Sequence, residues 1–338
     1  MQLYAGIDLH SNNSFLVVLQ SDDKIVYQKR LPNVIDRITD ELAPYKDELV
    51  GVVVESTYNW YWLVDGLEAV GHRVSLANTT AIQQYNGLKQ TNDKTDARWL
   101  AKLLQLNILP TGYIYPKEKR GIRDLLRKRM QMVQQRTLHL LSLQTLIERN
   151  TSIQLRANEI KKLTVHDLKK YFSDETITLA AKSNLLVMQC IDEQVNATEK
   201  AVLEQAKLID VYKKLLTVDG IGKILALTIM METGEINRFR HVGNYASYCR
   251  CVNSKKISNG KKKGENNRKN GNRYLSWAYV EAANFAIRFN PIIKKYYQKK
   301  RSKTSNVVAI KTIAHKLARA CFYILKDGVD FDVKKSFR

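Results

Sequence analysis

Leu3–Leu9 reads LYAGIDL, an apolar run that carries one carboxylate, Asp8, near its end. A short run of this kind bounded by polar residues is a strand. SFLVVLQ (Ser14–Gln20) and KIVYQKR (Lys24–Arg30) follow across short polar turns, which predicts a three-stranded antiparallel meander. A helical stretch spans about Val34–Tyr45. Then ELVGVVVES (Glu48–Ser56) is almost continuously apolar, as a strand buried on both faces of a sheet must be. A helix near Trp60–Ala69, the strand HRVSLAN (His72–Asn78) and helical material through Leu106 complete this region.

Three hairpin strands followed by alternating helix and strand is the order of the RNase H-like fold, so residues 1–115 are expected to form an α/β domain of that class. From Pro116 to Leu208 strand signals stop. RGIRDLLRKRMQMVQQRTLHLLSLQTLIERN (Arg120–Asn150) spaces apolar residues helically among charges and predicts a helical hairpin or coiled coil over 116–210 that spaces domains or joins subunits. Residues 211–338 are expected to be mainly α. In TVDGIGKILALTIMMETG (Thr217–Gly234), Gly220 and Gly222 fall between two helical runs, a helix-hairpin-helix-like pattern whose second helix start can meet a phosphate. The polar segment after it is expected to be a loop.

The chain has 338 residues, with 55 Lys+Arg against 33 Asp+Glu and a net charge of +22. A field of that sign and size attracts polyanions, because each neutralised phosphate releases condensed counterions. The loop from Arg250 to Arg273 concentrates nine basic residues against one acidic residue. Its Lys255, Lys256, Lys261, Lys262, Lys263, Arg268, Lys269 and Arg273 are candidate nucleic-acid contacts, with Arg120, Arg123 and Arg127 of the long helix. Tyr85, Trp99, Tyr113 and Tyr115 are candidate stacking rings, although packing explains most such aromatics. The start has neither a basic leader nor a cleavage site, and no apolar run spans a bilayer, so a cytoplasmic, prokaryotic setting without membrane contact is expected. Four scattered cysteines suit a reducing compartment. Cys249 and Cys251 would be half of a zinc site with no second half at matching spacing.

Asp8 lies in the first strand, Glu55 ends the buried strand, and Asp93 and Asp96 stand three apart at a helix start, on one helical face. In the RNase H-like topology the ends of the first and fourth strands are neighbours, so these carboxylates can converge. Four negative charges gathered together repel unless cations neutralise them. Hard oxygen ligands suit Mg²⁺ or Mn²⁺, and paired ions of that kind serve phosphoryl transfer. Taken singly, Asp93 or Asp96 is an ordinary helix cap and Glu55 an ordinary partner for a lysine.

The strand GIDLH, the segment VVVESTYNWYW, the helix DKTDARWLAKLL, and the C-terminal stretches GIGKILALTIMMETGEINRFRHVGNYASYCRCVNSKKISNGKKKG and KNGNRYLSWAYVEAANFA resemble the DEDD-type insertion-sequence transposases, whose N-terminal domain is RuvC-like. The resemblance implies that Asp8, Glu55, Asp93 and Asp96 are the metal-binding DEDD quartet. It also implies that Ser258 of KKISNG is a nucleophile forming a covalent phosphoserine with the cut strand. It further implies DNA partners (element ends and target), a structured guide RNA from the element, and a dimer or tetramer whose active site draws on two subunits. Cys-Arg-Cys-Val-Asn (Cys249–Asn253) departs from the commoner Gly-Leu-x-Pro-type run and leaves Ser254 as a rival nucleophile.

Three other readings compete. A junction-resolving nuclease would use metal-activated water in place of the serine. An actin-like sugar kinase or ATPase would share the sheet, but a second glycine-rich phosphate loop is wanting apart from VDGIGK. A non-enzymatic nucleic-acid scaffold would explain the charge and leave the four carboxylates without a purpose.

Overall fold

The structure is a computed structural model that describes residues 2–82, 92–206, 210–265 and 270–338. Tyr85, Arg268 and Lys269 lie outside the described residues. The chain divides into two units, Met1–Lys117 and Glu118–Arg338.

The first unit is built on five strands: β1 (Leu3–Leu9), β2 (Asn13–Gln20), β3 (Ile25–Pro32), β4 (Leu49–Glu55) and β5 (Val74–Ala77). Their order across the sheet is β3-β2-β1-β4-β5. The meander pairs antiparallel, whereas β1–β4 and β4–β5 are parallel. This mixed sheet with flanking helices is consistent with the expected RNase H-like domain. Alternation along β1 sorts its side chains. Leu3, Ala5, Ile7 and Leu9 face a core completed by Ile38 and Leu42 of α1 (Ile35–Leu42) and by Leu63, Val64 and Leu67 of α2 (Tyr61–Ala69). Tyr4, Gly6 and Asp8 take the opposite face, where α3 (Asp93–Gln105) packs with Leu100, Ala101 and Leu103. Gly6 makes that packing close. A Cβ there would stand 2.1 Å from the Ala97 carbonyl oxygen and 2.7 Å from the Ala101 nitrogen.

The second unit is mostly helical. Its long helices α4 (Lys117–Thr151) and α6 (Glu175–Ala206) are joined through the short α5 (Ala157–Ile160). Arg129 on α4 pairs with Glu199 on α6, and Arg136 pairs with Asp192. The contact therefore advances seven residues on one helix as it retreats seven on the other, an antiparallel pairing with heptad spacing. Leu140, Leu143 and Ile147 meet Leu185 and Met188 between the helices.

The rest of the unit comprises α7 (Asp210–Leu215), α8 (Lys223–Thr233), α9 (Val242–Tyr248), the strands β6 (Lys256–Ser258) and β7 (Lys261–Gly264), then α10 (Arg273–Phe289), α11 (Pro291–Arg301), α12 (Asn306–Asp327) and α13 (Val333–Ser336). Its core is formed by α8, α9, α10 and α12, including Leu227, Ile229, Tyr245, Tyr279, Leu317 and Phe322. Cys249 and Cys321 are buried in it, and Cys251 donates to the Cys249 carbonyl at 3.4 Å. These thiols pack; among the described residues no group of metal ligands includes them. Gly220, expected only to turn the chain, has φ +88° and also admits α10: a Cβ would lie 2.2 Å from the Ala282 carbonyl oxygen.

Two sequence expectations need amendment here. The polar loop contains the β6–β7 hairpin, which strand periodicity missed because only Ile257 is apolar in its seven strand residues. The signal was Asn259-Gly260. Both residues have positive φ, +49° and +70°, the conformation of a two-residue hairpin turn whose twist matches its strands. The arginines at the start of α4 are also less open than expected, although Lys117 and Lys128 beside them are exposed. Arg120 is buried, the Arg123 side chain is mostly covered, and Arg127 is gripped by a buried carboxylate, Glu232, at 2.6 and 2.8 Å. An unpaired buried glutamate is costly, so Arg127 has a structural task that its sequence context did not disclose.

Candidate active site

Strands β1 and β4 run parallel with Ile7 opposite Val54, so Asp8 and Glu55 emerge side by side at the same end of the sheet. Helix α3 delivers the other two carboxylates. Asn92 caps it by accepting from the Thr95 amide at 2.9 Å, which fixes where the first turn begins. Asp93 and Asp96 then occupy that turn, where the helix dipole favours negative charge. Because Ala97 sits against Gly6, the residue before it is held over Asp8. The structure thus brings Asp8, Glu55, Asp93 and Asp96 from three elements into one cluster.

The electrostatics follow from that crowding. Asp8 is buried, Glu55, Asp93 and Asp96 partly so. Burial, a hydrogen bond with Asp8 and the charges of Asp8 and Asp96 push the Glu55 carboxyl up to about 8. Burial first, then Asp8 and Asp93, raises Asp96 as well, with His10 opposing.

His10 belongs to this cluster and was not singled out from the sequence. Its Nε2 lies 3.3 Å from Asp8 Oδ2 and 3.3 Å from Asp93 Oδ1. The signal was available in GIDLH, since residues two apart along an extended chain share a face. The loop carrying it is held by the Asn33 and Asn59 side-chain amides, which both donate to the His10 carbonyl at 2.9 and 3.0 Å. Arg30 Nη2 lies 2.7 Å from Asp93 Oδ2 and supplies a fixed counter-charge on the exposed side.

The donor set fits a divalent cation. Ligand atoms of Asp8, His10 and Asp93 all lie within 4.8 Å of one another. Asp96 Oδ1 is buried and has no hydrogen-bond partner among the described residues, as a carboxylate oxygen shaped for a cation would be.

The serine candidates lie in the second unit. Ser258 ends β6 and pairs with Lys261 across the Asn259-Gly260 turn, exposed, as are Lys256, Lys261, Lys262 and Lys263 on the same hairpin. Lys262 approaches Glu265 at 3.5 Å. Arg273 is exposed and lies on the Tyr274 ring at 4.8 Å. Ser254 differs: its Oγ is buried. Lys255 is exposed beside it. Of the stacking candidates, Tyr115 is buried edge-on against Tyr113, and Trp99 and Tyr113 are partly covered. Packing accounts for Tyr115.

Comparison with known proteins agrees with both halves. Residues 5–150 match the DEDD transposase model of the IS110 type, which spans the whole carboxylate cluster, and such a domain implies use of a divalent metal. Residues 212–298 match the model described as Transposase IS116/IS110/IS902 family, which spans the hairpin. The chain is also 25% identical over 161 residues to an uncharacterised protein of insertion element IS110 from Streptomyces coelicolor. That match covers 46% of this chain and 39% of the relative's length. Two models of one family, carried in order and together covering more than half of the chain, identify it: the chain belongs to the IS116/IS110/IS902 family of insertion-element transposases.

Proposed function

We propose that this protein recombines the DNA of its insertion sequence by cutting and rejoining strands, with Asp8, Glu55, Asp93 and Asp96 as the metal-binding quartet and Ser258 as the nucleophile. The observation that carries the reading is the convergence of four carboxylates at the shared end of β1 and β4, a grouping that costs stability unless cations occupy it. Mg²⁺ or Mn²⁺ bound there would stabilise charge on the phosphate oxygens and on the leaving oxygen.

In this scheme the Ser258 hydroxyl gives up its proton and its Oγ forms a bond to the scissile phosphorus. The bond from phosphorus to one deoxyribose oxygen breaks, and that oxygen takes up a proton. The strand stays attached as a phosphodiester of serine, so the bond is conserved for rejoining when a second sugar hydroxyl attacks. His10 and Arg30 orient Asp93, and the buried face of α3 excludes water from Asp8 and Asp96. Ser258 at the tip of a tight turn, ringed by lysines, suits attack on a polyanion. We further propose a RuvC-like domain over 1–115, a coiled-coil region over 116–210 that joins subunits into a dimer or tetramer, and a serine-bearing domain over 211–338. DNA and a structured guide RNA are the partners, in a prokaryotic cytosol.

The test is a denaturing gel of full-length protein incubated with labelled element-end DNA and Mg²⁺. Wild type should yield a covalent protein–DNA band that Ser258→Ala and Asp8→Asn abolish. Cleavage without any band in Ser258→Ala would establish the water-using nuclease instead.

A further inference from the structure

Beside the hairpin lies a cavity of about 720 Å³ lined by Arg250, Asn253, Ser254, Lys255, Ser276 and Lys311, among others. Its size is within the range of about 300–1,000 Å³ in which proteins hold small organic groups. Its lining is cationic. Glu265, the one acidic residue on it among the described residues, approaches Lys262 at 3.5 Å. Arg250 has left-handed backbone (φ +54°), and its Nε and Nη2 donate to the Gly271 carbonyl at 3.0 and 2.7 Å. Gly271 is itself irreplaceable there, at φ +93° with a Cβ position 2.5 Å from the Tyr248 carbonyl oxygen. The backbone is thus bent to hold a guanidinium at this wall, beside the like charge of Arg273. A strained residue kept in such a position is a mark of function.

The second observation is Ser254. Its hydroxyl is buried, with no hydrogen-bond partner among the described residues, on the wall of this cationic cavity. A buried hydroxyl left unsatisfied costs free energy, and a turn about χ1 toward the cavity that this residue lines would let a ligand oxygen satisfy it. Ser258 has the opposite character, exposed on the hairpin.

We propose that this cavity is a phosphate-binding pocket for a polynucleotide backbone, in which Ser254 and Lys311 hold one phosphodiester against the wall fixed by Arg250. Ser254 is then a binding residue and not the nucleophile. The pocket anchors a nucleotide away from the one attacked, so the strand reaches Ser258 already in register. The polyanion's identity rests on the nucleic-acid reading above.

Fluorescence anisotropy on full-length protein tests this with two labelled probes, a 20-base-pair DNA duplex and a 20-nucleotide RNA, across a salt series. Removing one phosphate contact lowers the slope of log K against log salt by about 0.9 on the duplex or about 0.7 on the single strand. Lys311→Gln should show that loss on whichever nucleic acid the pocket takes, with affinity several-fold weaker. Ser254→Ala should weaken the same probe several-fold with its slope retained, because a neutral donor releases no counterion. Lys182→Gln, on the exposed face of α6, serves as the charge-matched control and should change neither. A wild-type slope for Lys311→Gln on both probes overturns the proposal, as does wild-type affinity for Ser254→Ala. Loss of the covalent band in Ser254→Ala with its retention in Ser258→Ala also overturns it. Absence of any covalent band would defeat the phosphoserine reading and leave these binding results standing.

Discussion

Glu55 shows most directly what the site is for. Its carboxyl is held far above the ordinary range by burial and by Asp8 and Asp96. A group whose folded pKa is raised contributes stability below its unfolded pKa, and that contribution is lost as pH rises through the folded value. Chelator-treated protein should therefore melt at progressively lower temperature between about pH 5 and pH 9, and Glu55→Gln should flatten the profile. Added Mg²⁺ should raise the melting temperature of wild type at pH 8 and do little for Glu55→Gln. A profile that is flat in the chelated wild type would count against the cluster as drawn. At Gly6 the constraint is steric. Gly6→Ala forces a methyl against the α3 backbone, an overpacking that costs about 1–3 kcal/mol, readable as a lower urea midpoint.

At the scale of elements, much was legible and the omissions have causes. The five strands and the helix carrying Asp93 and Asp96 stand where apolar periodicity put them, because most of them bury a whole face or stripe; β3, at the sheet edge, buries only Leu31. The parallel neighbour relation of β1 and β4 followed from strand order, and with it the meeting of Asp8 and Glu55. His10 escaped notice because sharing a face with Asp8 in GIDLH does not by itself mark a lone histidine; its distances to Asp8 and Asp93 give it a role. The β6–β7 hairpin escaped because it is made by turn geometry and not by a buried face. Replacing Asn259-Gly260 with Ala-Ala should remove the left-handed preference, loosen the hairpin and reduce covalent capture severalfold while the melting temperature stays near wild type. Arg127 escaped for a third reason: its partner Glu232 is 105 residues away. Arg127→Ala leaves that buried carboxylate without its counter-charge, with only the Asn272 amide donating to it at 2.7 Å, a loss of about 3–5 kcal/mol, whereas Arg127→Met with Glu232→Leu should recover most of it in a denaturant titration.

At the scale of the whole molecule, the chain separates two demands. The first unit concentrates buried negative charge, and the second carries exposed positive charge on a hairpin and a cationic cavity. The excess of positive charge therefore lies in the second unit, not in the one where the carboxylates gather. Among the described residues no helix is long and apolar enough to cross a membrane. The helical pair of α4 and α6 leaves Leu138, Leu141, Leu179 and Leu186 exposed. If subunits join there, as proposed for this region, Leu138→Glu with Leu186→Glu should shift the protein to smaller species in sedimentation velocity. An unchanged distribution would place the contact elsewhere.

The position of β1 has one more consequence. It is paired along both edges, to β2 and to β4, so its amides exchange with solvent only when the sheet itself opens. The first turn of α3 has amides with no partner inside the helix and relies on Asn92 for closure. Half of the carboxylate cluster is therefore anchored on the slowest-exchanging backbone of its unit, and half on backbone that opens locally. Deuterium uptake should record cation binding as new protection at residues 93–97 and none at residues 5–8, where protection is already complete. Closure on a cation would then fall to the helix, with the strand as the fixed surface against which it acts.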